Sequence, residues 1–201
     1  VFKLNEAGQV DNKETFVAHC YFPTRVQTPF HFLIHAPFLL TDSREGIKLE
    51  DDWNKNLVGL LAKSFVNKIE SLKNQKLLNE AFFQILPIDE KVFSGETGQF
   101  FSPFIQEIYQ FFSTTQAECL PTERGEMVSF ENALLPESQS LRQLLSYSQL
   151  EELTDEKGVK WVFPNLISHS KLGFFIKKML VERAQTSNES SPVWNWEMAL
   201  K

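Results

Sequence analysis

The sequence predicts an α+β fold made of two α/β subdomains, and three observations carry that prediction. Apolar residues alternate over 15–22 and again over 30–36, the period-2 pattern of half-buried strands. Trp53, Leu57, Leu60, Leu61, Phe65, Ile69 and Leu72 then recur at helical spacing, one face of a long amphipathic helix. A composition shift between Pro87 and Gly98 divides the chain into 1–90, an antiparallel sheet packed by that helix, and a smaller subdomain over 91–201.

In chain order, Val1 to Leu4 reads as a strand and Asn5-Glu6-Ala7-Gly8-Gln9 with Asp11-Asn12 as turns. In the first alternating run Phe16, Ala18, Cys20 and Phe22 face one way and Val17, His19 and Tyr21 the other. Pro23-Thr24 and Thr28-Pro29 bracket a loop, after which Phe30, Phe32, Ile34 and Ala36 alternate against His31, Leu33 and His35. The two runs are therefore expected to pair as an antiparallel hairpin. Thr41-Asp42-Ser43-Arg44-Glu45-Gly46 is a tight polar turn, and Asp51 or Asp52 suits the helix N-cap that follows.

Further on, 76–86 reads as a short helix stopped by Pro87, and 92–98 as a loop. Ser102-Pro103 starts a helix that buries Phe104, Ile105, Ile108, Tyr109 and Phe112. A strand over 117–120, a turn over 121–125 and a return strand over 127–129 follow. Helices are expected at 140–145 and 149–153, a strand at 159–163 and a helix at 172–183 whose Lys177, Lys178 and Arg183 lie towards its C-terminal end. The polar stretch 184–192 reads as a mobile loop. Trp161, Trp194 and Trp196 are read as core, with an interface as the alternative.

Composition narrows the functional classes. With 20 Lys and Arg against 26 Asp and Glu the net charge is −6, and no basic stripe forms, which disfavours nucleic acid. No apolar run approaches the ~18 residues of a membrane span, so neither a membrane nor an export signal is expected. Cys20 and Cys119 lie far apart without a C-x-x-C, which suits a reducing, cytoplasmic setting and no zinc knuckle. The eight glycines form no dinucleotide fingerprint and no P-loop; Gly95-Glu96-Thr97-Gly98 lacks the Lys and the preceding strand. Val1 in its apolar segment fits a domain cut from a longer protein.

Arg44 is the candidate working residue. A strand that stops at a Ser-Arg-Glu turn and feeds a helix holds a permanently charged, forked guanidinium on a rigid mount, the chemistry for reaching a phosphate. The bland alternative is a surface ion pair with Glu45, Glu50, Asp51 or Asp52. Other constellations carry less. His31 and His35 lie about 13 Å apart along a strand, too far for one ion even with His19 nearby, so no metal site is expected. Ser43 has no base placed to activate it as a nucleophile. Asp51 and Asp52 diverge and serve as caps.

The run Pro37-Phe38-Leu39-Leu40-Thr41-Asp42-Ser43-Arg44-Glu45 ahead of a long helix resembles the middle domain of the ninety-kilodalton heat-shock chaperones. The likeness is closer to sacsin and the sacsin-like ATPases, on Phe32-Leu33-Ile34-His35-Ala36-Pro37-Phe38, Ser43-Arg44 and Trp53-Asn54, with a second block at Leu120-Pro121-Thr122 and Gly125. The resemblance implies the middle, or transducer, domain of a GHKL-type ATPase, supplying Arg44 to the γ-phosphate of ATP with Ser43 and Lys48 as further phosphate contacts. The chain departs from the chaperone pattern at Gly46-Ile47, and at Lys48 where the chaperones carry glutamine. ATP and Mg would be bound in the full-length protein by an N-terminal nucleotide-binding domain; this chain alone is expected to need no cofactor and to be no enzyme by itself. A client protein and a full-length homodimer are the further partners implied. The competing readings are a non-catalytic protein-interaction module that keeps the fold without ATP coupling and, ranked lower, a self-contained α+β enzyme.

Overall fold

A computed structural model describes residues 1–11, 13–114, 116–168, 170–187 and 192–195. The fold is mixed α+β with small sheets, divided into two compact units, Val1–Gln110 and Phe111–Lys201. The division lies later than the expected 90/91. The reason is aromatic packing: Phe93, Phe101 and Phe104 all close on Phe30, with ring centroids 6.3, 5.4 and 4.6 Å away.

In the first unit β1 (Val17–Cys20) pairs antiparallel with β2 (Phe22–Gln27), not with 30–36. The apolar segment 30–36 instead runs beside β1 in the parallel sense, where the His19 N–H donates to the Ile34 carbonyl at 2.9 Å and the Ala36 N–H to the His19 carbonyl at 3.1 Å. The sheet of this unit is the antiparallel β1–β2 pair, and 30–36 adds to it an isolated parallel bridge between His19 and His35. Pro23 belongs to β2, an outer strand where a missing N–H is tolerated. The chain reverses at Tyr21, which takes a left-handed φ of 60°. That reversal breaks the alternation, and Phe22 is 80% exposed instead of facing inward with Ala18 and Cys20. Val1 to Leu4 contributes one bridge, Leu4 to Val10, in place of a strand, and Asn12 lies outside the described residues.

The alternation beyond residue 29 is deep: Phe30, Phe32, Ile34, Ala36 and Phe38 are all buried. Phe32 stacks on Phe30 and on Phe65, with centroids 4.9 Å apart in each case. Burying each ring stabilises the unit by about 1.5–3 kcal/mol, before any gain from ring geometry. The helix that supplies Phe65, α1 (Asp52–Val66), is capped by Asp51, whose carboxylate accepts from the Trp53 N–H. Its buried stripe is Asn54, Val58, Ala62 and Val66, four residues apart each time. Leu57, Leu61 and Phe65 are half-buried, while Trp53 and Leu60, expected inside, are exposed. The helix also ends before Leu72: the Lys68 N–H turns back to the Phe65 carbonyl, and α2 (Ile69–Asn74) begins anew.

After α3 (Glu80–Gln84), a 3₁₀ turn over Glu90–Phe93 and α4 (Gly95–Phe101) replace the loop expected at 92–98. The two glycines there have structural reasons. Gly95 takes φ 73°, and a Cβ on Gly98 would lie 2.4 Å from the Phe93 carbonyl carbon. Helix α5 (Pro103–Thr114) starts at the Ser-Pro signal and buries Phe104, Ile105, Ile108 and Phe112, with Tyr109 half-buried.

In the second unit β3 (Leu120–Pro121) and β4 (Met127–Val128) form a small antiparallel hairpin, with Gly125 at φ 75° in its turn. A separate three-stranded sheet has β5 (Ala133–Pro136) at its centre, paired in parallel with β6 (Lys160–Trp161) and β7 (Val193–Trp194). Between β5 and β6 lie α6 (Gln139–Leu144) and α7 (Tyr147–Thr154), the latter opened by a capping box from Ser146 and Gln149. Helices α8 (Pro164–Ser168) and α9 (Ser170–Ser187) follow, so α9 carries on through part of the expected mobile loop. Residues 188–191 and Trp196 lie outside those described. Trp161 and Trp194 are core, packed with Leu134, Leu141, Leu150 and Val159.

The glycines give a paired test by chemical denaturation. Gly98→Ala is expected to cost about 1–3 kcal/mol, because the new methyl meets backbone. Gly59→Ala, in α1 with open space around it, is expected to gain about 0.5–1 kcal/mol.

Candidate functional site

The candidate turn is a closed loop set between two short legs. Leu40 and Ile47 form an antiparallel bridge, and the Thr41 N–H donates to the Gly46 carbonyl at 2.9 Å. Inside it the Arg44 N–H donates to the Thr41 carbonyl at 2.8 Å, a β-turn with Asp42 and Ser43 at its centre. The Gly46 N–H donates to Thr41 Oγ1 at 3.1 Å, and a Cβ on Gly46 would lie 3.1 Å from Thr41 Cγ2. Glycine is thus what lets the return leg close on Thr41.

Asn54 holds the legs together from below. Its side-chain Oδ1 accepts from the Leu39 N–H at 2.8 Å, and its Nδ2 donates to the carbonyls of Leu39 and Lys48, both at 2.9 Å. One fully buried amide therefore bonds to both legs of the loop and fixes them to the first turn of α1. Trp53 adds a fourth tie, its Nε1–H donating to the Pro37 carbonyl at 3.3 Å. Sequence reasoning assigned neither residue this work. The available signal was the four-residue stripe through Asn54, Val58, Ala62 and Val66, which competes with the larger side chains of the Trp53 stripe.

Arg44 sits at the corner with φ 60°, a left-handed conformation that a non-glycine residue adopts at a cost of about 1–3 kcal/mol. Its side chain is exposed, and among the described residues no ion pair engages its guanidinium. The bland expectation of a surface ion pair with its own acidic neighbours is not what the structure holds. Glu45 pairs with Arg25 of β2 at 2.8 Å, Glu50 with Lys55 at 2.7 Å, and Asp51 caps α1.

The other candidates are placed differently. Ser43 Oγ lies 3.1 Å from Thr41 Oγ1 and accepts weakly from the Glu45 N–H at 3.4 Å, so it braces the loop. Lys48 is on the return leg, its N–H donating to the Leu39 carbonyl and its exposed ammonium 4.0 Å from Asp42. A shallow depression of about 530 Å³ beside the loop is lined by Arg25, Thr41, Ser43, Glu45, Gly46 and Thr97, and Arg44 is not part of its wall.

Two of the histidines have local partners. His31 Nδ1 lies 3.1 Å from the Glu14 carbonyl, and His35 Nε2 accepts from the Tyr21 N–H at 3.2 Å. His19 and His35 are cross-strand neighbours with ring centroids 6.4 Å apart. Among the described residues no group of three or more His, Cys, Asp or Glu is placed to hold a metal ion, and no helix is long and apolar enough to cross a membrane. Compared with models of known families, with curated proteins and with solved structures, the chain matches none.

Two substitutions test this geometry. Asn54→Ala removes three hydrogen bonds and leaves the Leu39 N–H without its acceptor, while the Leu39 and Lys48 carbonyls keep the Lys48 and Asp51 N–H groups, so urea unfolding should show a loss of about 1–3 kcal/mol. Arg44→Gly relieves the left-handed corner and is expected to raise stability by about 1 kcal/mol in the same measurement.

Proposed function

We propose that this chain is the coupling middle domain of a sacsin-like, GHKL-type ATPase, with Arg44 reaching the γ-phosphate of an ATP held by a separate nucleotide-binding domain. The observation that carries the reading is an exposed guanidinium, without a carboxylate partner among the described residues, on a loop pinned at its base by a buried amide. A group so held needs little reorganisation when negative charge develops on a transferring phosphoryl group, and it acts in trans on a site it does not itself contain.

Three of the blocks behind the resemblance, all in the first unit, also meet in space. Ala36-Pro37-Phe38, Ser43-Arg44 and Trp53-Asn54 are separate blocks in the chain, yet Trp53 is tied to Pro37 and Asn54 to both legs of the Arg44 loop. Three separate blocks thus build one mount, which supports the reading. In this reading the chain contributes the arginine, while adenine, ribose and Mg are held by the nucleotide-binding domain. Ser43 braces the loop, and Lys48 lies on its return leg as a second cation available to phosphate.

The alternative, a protein-interaction module without ATP coupling, draws on a different feature. Tyr21 and Phe22 stand 79% and 80% exposed at the β1–β2 turn, adjacent aromatics of the kind that anchor protein contacts.

ATP turnover in the full-length protein separates the two. Arg44→Ala is expected to lower kcat by about 10³-fold or more while nucleotide still binds, with Arg44→Lys recovering only part of it. Unchanged turnover in a folded Arg44→Ala protein would remove the phosphate role and leave the interaction module.

A further inference from the structure

We infer that Arg25 is a positioning residue for Arg44: by clipping Glu45 it keeps the carboxylate next in the chain from neutralising the guanidinium offered to phosphate. The inference rests on the reading of Arg44 as a phosphate contact and adds a second residue to it.

The loop and its legs carry two carboxylates, Asp42 and Glu45, and two cations, Arg44 and Lys48. Left to themselves these charges balance, and Arg44 would be the nearest cation in sequence to Glu45. Arg25, reaching across from β2, changes the allocation. Its main-chain N–H donates to the Glu45 carbonyl at 2.7 Å, and its Nη2 lies 2.8 Å from Glu45 Oε1. Asp42 is met by Lys48 at 4.0 Å. Each acid is thereby assigned to a cation other than Arg44, and the local sum including Arg25 is one positive charge.

The two contacts to Glu45 are chemically separable. The main-chain bond does not depend on the residue type at position 25, so truncating Arg25 frees the carboxylate while the bond that anchors the loop to β2 stays. Arg25 also lines the shallow depression beside the loop from which Arg44 is absent. Its side chain is 80% exposed, and solvent-exposed ion pairs are individually weak. The consequence is a shift in the fraction of Arg44 that is free, not its abolition.

The test measures ATP turnover by the full-length protein in variants whose folding is checked by thermal unfolding. Arg25→Ala should lower kcat by about two- to five-fold, the range an exposed pair can command, with KM for ATP unchanged. Glu45→Gln alone should turn over like the parent, and Arg25→Ala/Glu45→Gln should return to the parent kcat, because the competing carboxylate is gone. Arg25→Lys, which keeps a cation at the clip, should fall between. A parental kcat in Arg25→Ala, or a loss that Glu45→Gln does not reverse, overturns the inference. Should Arg25→Ala not fold, a lowered kcat in Glu45→Gln would overturn it, and an intermediate kcat in Arg25→Lys that Glu45→Gln restores would sustain it. Failure of the underlying reading looks different: Arg44→Ala would then turn over normally, whatever Arg25 does.

Discussion

The buried amide of Asn54 is the contact on which the candidate site depends. Extended legs on either side of a six-residue loop have main-chain groups that need partners, and only a short ladder is available to supply them. One side chain provides an acceptor to Leu39 and two donors, to Leu39 and Lys48, in a setting where water does not compete. Because Asn54 sits in the first turn of α1, it couples loop position to helix position directly. The Asp51 cap and the Trp53 bond to Pro37 act at the same place, so the helix start and the loop base form a single rigid piece.

Around that piece the first unit is held by phenylalanine. Phe30 and Phe32 touch rings from α1, α4 and α5, and their side chains bring no polar atoms that would need satisfying. The many phenylalanines of the sequence are mostly this core, which explains why the division between units falls beyond the residues that pack on Phe30. The second unit has phenylalanine contacts of its own, Phe112 with Phe130 and Phe175, and adds a cluster of leucines with Trp161 and Trp194. There the indole brings a polar atom inside, and the Trp161 Nε1–H has no acceptor among the described residues. Such an orphan costs about 1–3 kcal/mol, offset here by the area of a large buried ring.

Charge placement gives the loop its chemical character. Four ionisable side chains within seven residues would ordinarily pair with one another and present a neutral surface. The fold distributes them instead: β2 brings Arg25 to Glu45, the return leg brings Lys48 towards Asp42, and Arg44 is left exposed at a left-handed corner. An unfavourable backbone conformation is tolerated because the surrounding bonds, not the propensity of arginine, decide it.

Much of the architecture was legible from side-chain pattern. Period-2 burial over Phe30 to Ala36, the Asp51 cap, the Ser-Pro helix start and the polar loop around Arg44 all follow from local chemistry, which is written in neighbouring residues. Strand partners were not legible: Phe22–Gln27 and 30–36 both flank β1, and the choice rests on a reversal at Tyr21 that no glycine announces. Nor could periodicity select the Asn54 stripe over the Trp53 stripe, because an asparagine pointing inward makes sense only once two remote carbonyls are there to receive it. The sequence by itself determined that 30–36 would bury alternate side chains, that helices would start near Asp51 and at Ser102-Pro103, and that Arg44 would stand in a polar turn. Tertiary structure alone decided which groups would meet that turn, because Arg25 and Asn54 reach it from a strand and a helix at distances in the chain that local pattern does not encode.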